Sequence, residues 1–139
     1  AYLNLLFNDI VRFIGKDFTP LNPLMKSEYM TNYCVTQKDE VLLSFNSCID
    51  MSKSVAIAFA SRYAKEEFHE FDEYVKASIE DFLNLHNGLF NVNMSNEFSL
   101  ELNLCPPEVH EEEKITNATK IYVFPIIFPF GTIHFLMEI

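Results

Sequence analysis

The sequence predicts an α+β fold: a single domain over residues 1–139, with one mostly antiparallel sheet packed against long helices. Three observations carry this reading. A chain of 139 residues is long enough to bury one ordinary core without disulfide or metal staples. Its composition, 49% hydrophobic and 22% charged, excludes a disordered polymer. Its elements fall in the order helix-strand-strand-helix-helix-strand-strand-strand, with no internal linker or repeat, so neighbouring strands can pair as hairpins.

The first helix rests on Leu3, Leu6, Phe7, Ile10 and Ile14 at helical spacing, with Asn4, Asn8, Asp9 and Arg12 off that stripe. Gly15, Pro20 and Pro23 end it. Tyr29 to Thr36 and Val41 to Asn46 read as strands around a polar turn, Gln37-Lys38-Asp39-Glu40. Asp50 is the expected N-cap of a helix from Met51 to Lys65, rich in Ala56, Ala58, Ala60 and Ala64. Asp72 is the expected N-cap of a longer helix through Asn91, and the Asn91-Val92-Asn93 stretch reads as caps and turns. Ser99 to Leu104 alternates as a strand and stops at Cys105-Pro106-Pro107. His110 to Lys120, with Glu111-Glu112-Glu113, reads as a solvated acidic loop. Ile121 to Phe128 and Thr132 to Glu138 are apolar strands joined around Gly131.

Charge and motifs narrow the function classes. Ten basic against 20 acidic residues give a formal charge of −10, which repels nucleic acid and anionic lipid and favours a partner rich in Lys or Arg. No apolar run approaches the roughly 20 residues of a membrane span. With three glycines there is no phosphate-cradling loop and no nucleotide-cofactor motif. Cys34, Cys48 and Cys105 lie apart, without metal-ligand spacing, and suit three buried, reduced thiols in a cytoplasmic protein. No metal site is expected. His86 falls on the apolar side of its helix and reads as a core or boundary residue, whereas His134 reads as exposed.

The long helix after Asp72 carries the functional signal. With Ile79 set at zero, Ala77, Asp81, Asn84 and Gly88 fall at roughly 140° to 200°, opposite the core stripe of Val75, Ile79, Phe82, Leu83, His86 and Phe90. An acid and an amide therefore share the exposed centre, flanked by two small residues that let another backbone approach. Gly88 costs the helix roughly 1 kcal/mol relative to Ala. Taken alone, the pattern also fits an ordinary solvated face with Gly88 as a C-cap.

Asp81-x-x-Asn84-x-x-x-Gly88 resembles the E-x-x-N-x-x-x-G signature of the CheX and CheC family of chemotaxis phosphatases. Further matches keep the family's order along nearly the whole chain. Val55 to Ala60 is similar to its Ala-rich second helix, and Glu66 to Asp72 to its acidic joint. Phe98 to Val109 is similar to its strand-Pro-Pro-x-Val run, and Ile121 to Ile139 to its closing hairpin. One signature helix resembles CheX more than CheC. The family has Glu where Asp81 stands, and Ser or Asp where Ala77 stands.

The resemblance implies a CheC/CheX-like domain that binds a phosphorylated CheY-type receiver and speeds hydrolysis of its aspartyl phosphate. Asn84 would hold water in line with phosphorus by accepting a hydrogen bond from it, orienting the water without acting as a base. Asp81 would pair with a receiver Lys, one methylene short of the family's Glu; Glu80 lies beside it and points differently. Ala77, Glu80 and Gly88 would line the docking surface. The resemblance implies no cofactor in this chain, with Mg²⁺ on the receiver, and a homodimer built through sheet edges such as Ile121 to Phe128. A non-catalytic binding or dimerisation module that docks a receiver or a flagellar-switch protein stands as the alternative.

Overall fold

Helix α1 (Tyr2–Phe13) buries Tyr2, Leu6 and Ile10 on one stripe and turns Asn4, Asn8 and Arg12 to solvent. Asp9 departs from the expected polar side and is buried, because it meets His86. The computed structural model describes residues 2–40, 44–98 and 103–138, with backbone only for 117–119. After α1 come β1 (Thr19–Pro20), β2 (Leu24–Met30), β3 (Tyr33–Glu40), β4 (Phe45–Met51), α2 (Lys53–Ala64) and α3 (Glu73–Phe98). The chain closes with β5 (Asn103–Leu104), β6 (Glu108–Glu111), β7 (Lys114–Phe128) and β8 (Gly131–Glu138). The fold is the α+β architecture expected, with three helices among the described residues.

The strands pair antiparallel in the order β1-β7-β8-β4-β3-β5, with β2 also on β7 and β6 also on β3. Backbone bonds between the two corners, Thr31 N–H to Glu113 O at 2.8 Å and Glu112 N–H to Asn32 O at 2.9 Å, carry the ladder from β2 into β3. The pairings thus run from β2 through β7, β8 and β4 to β3, and the chain itself bends from β2 into β3. The sheet is curled. Inside the curl lie Tyr29, Cys34, Cys48, Ile121, Val123 and Leu136. The other face meets the helices through Val35, Ile49, Phe59, Ile79, Phe82 and Phe135, all buried.

Several local readings change. Gln37 to Glu40 is not a turn but the second half of β3, paired with β4 and β5. Strand alternation explains it: Gln37 and Asp39 point inward to asparagines of α3, while Lys38 and Glu40 stay in solvent, 3.7 Å apart. The second strand is displaced to Phe45–Met51, and Val41 to Leu43 of the expected one lie outside the described residues. Asp50 is therefore a buried strand residue, accepting from Tyr29 Oη at 2.7 Å and Asn32 N–H at 2.9 Å. Ser52 caps α2 instead, its hydroxyl accepting from the Val55 N–H at 3.3 Å. Asp72 does cap α3, accepting from the N–H groups of Tyr74 and Val75 at 3.1 Å each.

Helix α3 continues past Asn91 to Phe98, so the Asn-rich stretch is helical, and Asn91 is held by a 3.2 Å bond to Asp39. Of the expected strand Ser99 to Leu104, the described part is β5; residues 99–102 lie outside. The acidic stretch from His110 is not a loop. It is β6, a turn at Glu112 (φ 51°) and the start of β7, where the charges sit on outward positions and His110 meets Glu113 at 2.9 Å. Ile121 to Phe128 is not a sheet edge either, because β8 covers one side and β1 and β2 the other. His134, expected exposed, is half-buried, and burial pushes its pKa below the ordinary imidazole range. Cys34, Cys48 and Cys105 are all free; the first two are buried and Cys105 half-buried. No helix among the described residues is long and apolar enough to cross a membrane.

Candidate functional site

Helix α3 separates its two faces as the spacing predicts. Val75, Ile79, Phe82, Leu83 and His86 are buried, with Phe90 partly so. Opposite them Ala77, Asp81 and Asn84 are exposed. Gly88 is half-buried, and a Cβ there would meet nothing within 4 Å. Because α3 runs on to Phe98, Gly88 is not a cap, and no contact within the described chain explains it. Glu80 sits apart. It is half-buried on the flank of α3, toward Tyr33, whose hydroxyl its charge helps push above the usual phenol range. The structure therefore groups Ala77, Asp81, Asn84 and Gly88 on one face and leaves Glu80 beside it.

Asp81 is held by α2. The Tyr63 hydroxyl donates to Asp81 Oδ2 at 2.5 Å. Burial, then the carboxylate, raises the Tyr63 pKa above its ordinary value, so the phenol keeps the proton it donates. Beside this pair a groove of about 420 Å³ opens between α2 and α3, lined by Tyr63, Phe68, Tyr74, Ala77 and Asp81.

Asn84 is held from beneath by the sheet. Its Oδ1 accepts from Gln37 Nε2 at 2.7 Å, and the same nitrogen donates to the Cys105 carbonyl at 2.9 Å. Gln37 Oε1 accepts from Asn87 Nδ2 at 2.8 Å. Asn87 Nδ2 also reaches Ser47 Oγ at 2.8 Å, and Asn87 Oδ1 accepts from the Tyr2 hydroxyl. Gln37 is 1% exposed and Asn87 is wholly buried, so a satisfied polar chain runs from α1 through the core to Asn84. Neither Gln37 nor Tyr63 was marked by the helical pattern. Strand alternation through Val35, Gln37 and Asp39 was the one available signal for Gln37; nothing in the spacing pointed to Tyr63.

The buried His86 Nδ1 meets Asp9 Oδ2 at 2.8 Å on the opposite side of α3. Burial lowers its pKa and Asp9 works against that, which leaves a packed core histidine remote from the exposed face. Among the described residues no group of three or more His, Cys, Asp or Glu is placed to hold a metal ion. Chemically, the exposed face offers one carboxylate and one oriented amide. It can pair with a cation and position a small polar molecule, and it has no nucleophile activated by a neighbouring base.

No protein-family model matches the chain, and no curated protein does. Solved structures do. The chain is similar to CheX in the CheX–CheY–BeF3–Mg complex from Borrelia burgdorferi, with a TM-score of 0.83, 17% identity, and coverage of 99% of this chain and 94% of that one. It is similar to chemotaxis protein CheX from Desulfovibrio desulfuricans, with a TM-score of 0.81, 13% identity, and 99% and 95% covered. A CheC-like superfamily protein from Shewanella sp. PV-4 gives a TM-score of 0.81 at 15% identity, with 98% and 92% covered. Such low identity with such complete overlap establishes architecture: the fold of this chain is that of the CheX and CheC-like chemotaxis proteins.

Proposed function

We propose that this chain binds a phosphorylated CheY-type receiver domain and accelerates hydrolysis of its aspartyl phosphate. The observation that carries the reading is the exposed pair Asp81 and Asn84, one turn apart on α3 and flanked by Ala77 and Gly88. Small flanks let α3 approach the receiver's phosphorylated site, and Asn84 holds water in line with phosphorus. The water oxygen forms the new O–P bond as the bond from phosphorus to the aspartyl oxygen breaks. The electron pair stays on the receiver's carboxylate, and both water protons leave with dihydrogen phosphate. Asp81 pairs with a receiver Lys through the oxygen not engaged by Tyr63. The receiver supplies Mg²⁺. The site acts in the cytoplasm, where such receivers and three reduced thiols belong.

A second reading has its own observation. Asp81 is one methylene shorter than the Glu of the resembled signature, and Tyr63 already holds one of its oxygens. Both features suit a module that docks a receiver or a flagellar-switch protein without hydrolysing anything. The chain also pairs as a homodimer through β2, whose side away from β7 has no strand partner among the described residues and where Leu24, Met25 and Met30 are more than half exposed. Sedimentation showing only monomer across a wide concentration range rejects that pairing.

The deciding assay is loss of phosphate from a labelled receiver, with and without the chain at saturating concentration. Faster loss supports the phosphatase. Tight binding with unchanged loss leaves the docking module, and neither binding nor faster loss removes both.

A further inference from the structure

We infer that Gln37 is a positioning residue that fixes the Asn84 amide with its carbonyl inward and its two N–H donors facing the partner. The inference rests on the reading of Asn84 as the group that holds the attacking water. It starts from the direction of the hydrogen bonds. A backbone carbonyl can only accept, so the Gln37 atom 2.9 Å from Cys105 O is the nitrogen, Nε2. The same Nε2 lies 2.7 Å from the Asn84 side chain, so the Asn84 atom it meets is the acceptor, Oδ1. The other end of Gln37 agrees, since its Oε1 accepts from Asn87 Nδ2 at 2.8 Å. Asn87 is in turn held by Ser47 and Tyr2.

The polarity of Asn84 is thus set by a chain of groups that cannot reverse singly. Turning its amide over would bring Nδ2 against Nε2, two donors face to face, and leave a buried donor without its partner. Gln37, 1% exposed, has no room to turn with it. Among the described residues no protein group accepts from Asn84 Nδ2.

The consequence differs from the acceptor role expected from the sequence. An outward Nδ2 donates one N–H into a lone pair of the water. That leaves the water's other lone pair free to form the bond to phosphorus, while its protons stay clear of the amide. The second N–H is free for a phosphoryl oxygen, where charge rearranges during transfer. Asn84 becomes a donor clamp, and Gln37 keeps it one.

Gln37→Met tests this in the full chain, because it retains length and removes both donors and the acceptor. Two readouts are taken. In ¹⁵N spectra without any receiver, the Asn84 side-chain amide should be ordered in the wild type and mobile in the variant. With phosphorylated receiver, kcat should fall about tenfold or more while KM stays within about twofold, since docking is retained and alignment lost. A Met variant with the wild-type kcat, or with an unmoved Asn84 amide, overturns the inference. Should the Met variant fail to fold, Gln37→Glu keeps the shape but when ionised donates nothing, and the same two outcomes apply. A wild type that never accelerates hydrolysis overturns the proposed function instead, and the amide signal still reports whether Gln37 orients Asn84.

Discussion

Asp81 and Asn84 lie one turn apart on the same helix face, yet they are supported by different parts of the molecule. Asp81 leans on Tyr63, a half-exposed residue of the neighbouring helix, through one hydrogen bond at the surface. Asn84 rests on Gln37 and, through it, on Asn87, Ser47 and Tyr2 in the core. A surface bond exchanges readily with water and contributes little net stability, whereas a buried satisfied network is rigid. The difference teaches which residue is built for alignment. Asn84 has one orientation that the fold enforces; Asp81 has room to leave Tyr63 and meet a cation on a partner.

The strongest way to break this contrast is Asn84→Ala. Acceleration of receiver dephosphorylation should fall about 100-fold, the scale of losing alignment, with receiver affinity nearly kept. A larger loss of affinity than of rate would reverse the roles. Asn87→Ala attacks the support from below. It removes a wholly buried hub and strands the partners Gln37, Ser47 and Tyr2, so unfolding should show a loss of about 2–4 kcal/mol, against about 1 for Asn84→Ala, which strands one N–H of Gln37.

Asp81 should respond more mildly. Asp81→Ala should weaken receiver binding by about 1 kcal/mol, with the deficit shrinking at high salt as an exposed ion pair is screened. Tyr63→Phe should leave stability within about 0.5–1.5 kcal/mol of wild type and free Asp81 for the partner; calorimetry and receiver titration check the two halves. Asp81→Glu restores reach and should raise the rate.

The smallest effect concerns Asp39, beneath the other end of α3. Its Oδ2 and the Asn91 Oδ1 are buried, and among the described residues neither has a hydrogen-bond partner. Burial raises the Asp39 pKa above its ordinary 3.8, so its ionised form destabilises the native state. Wild-type stability is therefore lost as pH rises through the raised value. Asp39→Asn should stabilise by about 1 kcal/mol at neutral pH, and the gain should fade as pH falls toward the unfolded value. Melting curves across that range decide it.

The parts of the molecule legible in the sequence were those governed by local periodicity. The two faces of α3, the cap at Asp72 and the β7–β8 hairpin follow from spacing and from Gly131, whose φ of 140° and close approach to Val55 exclude a side chain. What was hidden depends on partners distant in the chain. Gln37 and Asp39 look like turn residues until asparagines of α3, about fifty positions later, hydrogen-bond to them inside. Asp50 reads as a cap until Tyr29 supplies its hydrogen bond. Glu111 to Glu113 read as a loop until the corner at Thr31 pairs with them. Polar residues that alternate in a strand resemble a loop whenever the groups that neutralise them come from elsewhere. The same limit kept Tyr63 out of the candidate site.

The order of pairings around the curl has a consequence for biosynthesis. β8 follows every other strand along the sequence and inserts between β4 and β7, so the middle of the sheet is made after the strands that flank it. Until then β4 carries Cys48, Ile49 and Asp50 with one ladder unfilled, and α2 and α3 have no finished sheet beneath them. Until β8 is made the nascent sheet is incomplete, and its non-local pairings close only once that strand is in place. A stop codon shortly before β8 would therefore cost the whole domain, docking face included, although every residue of that face had already been made.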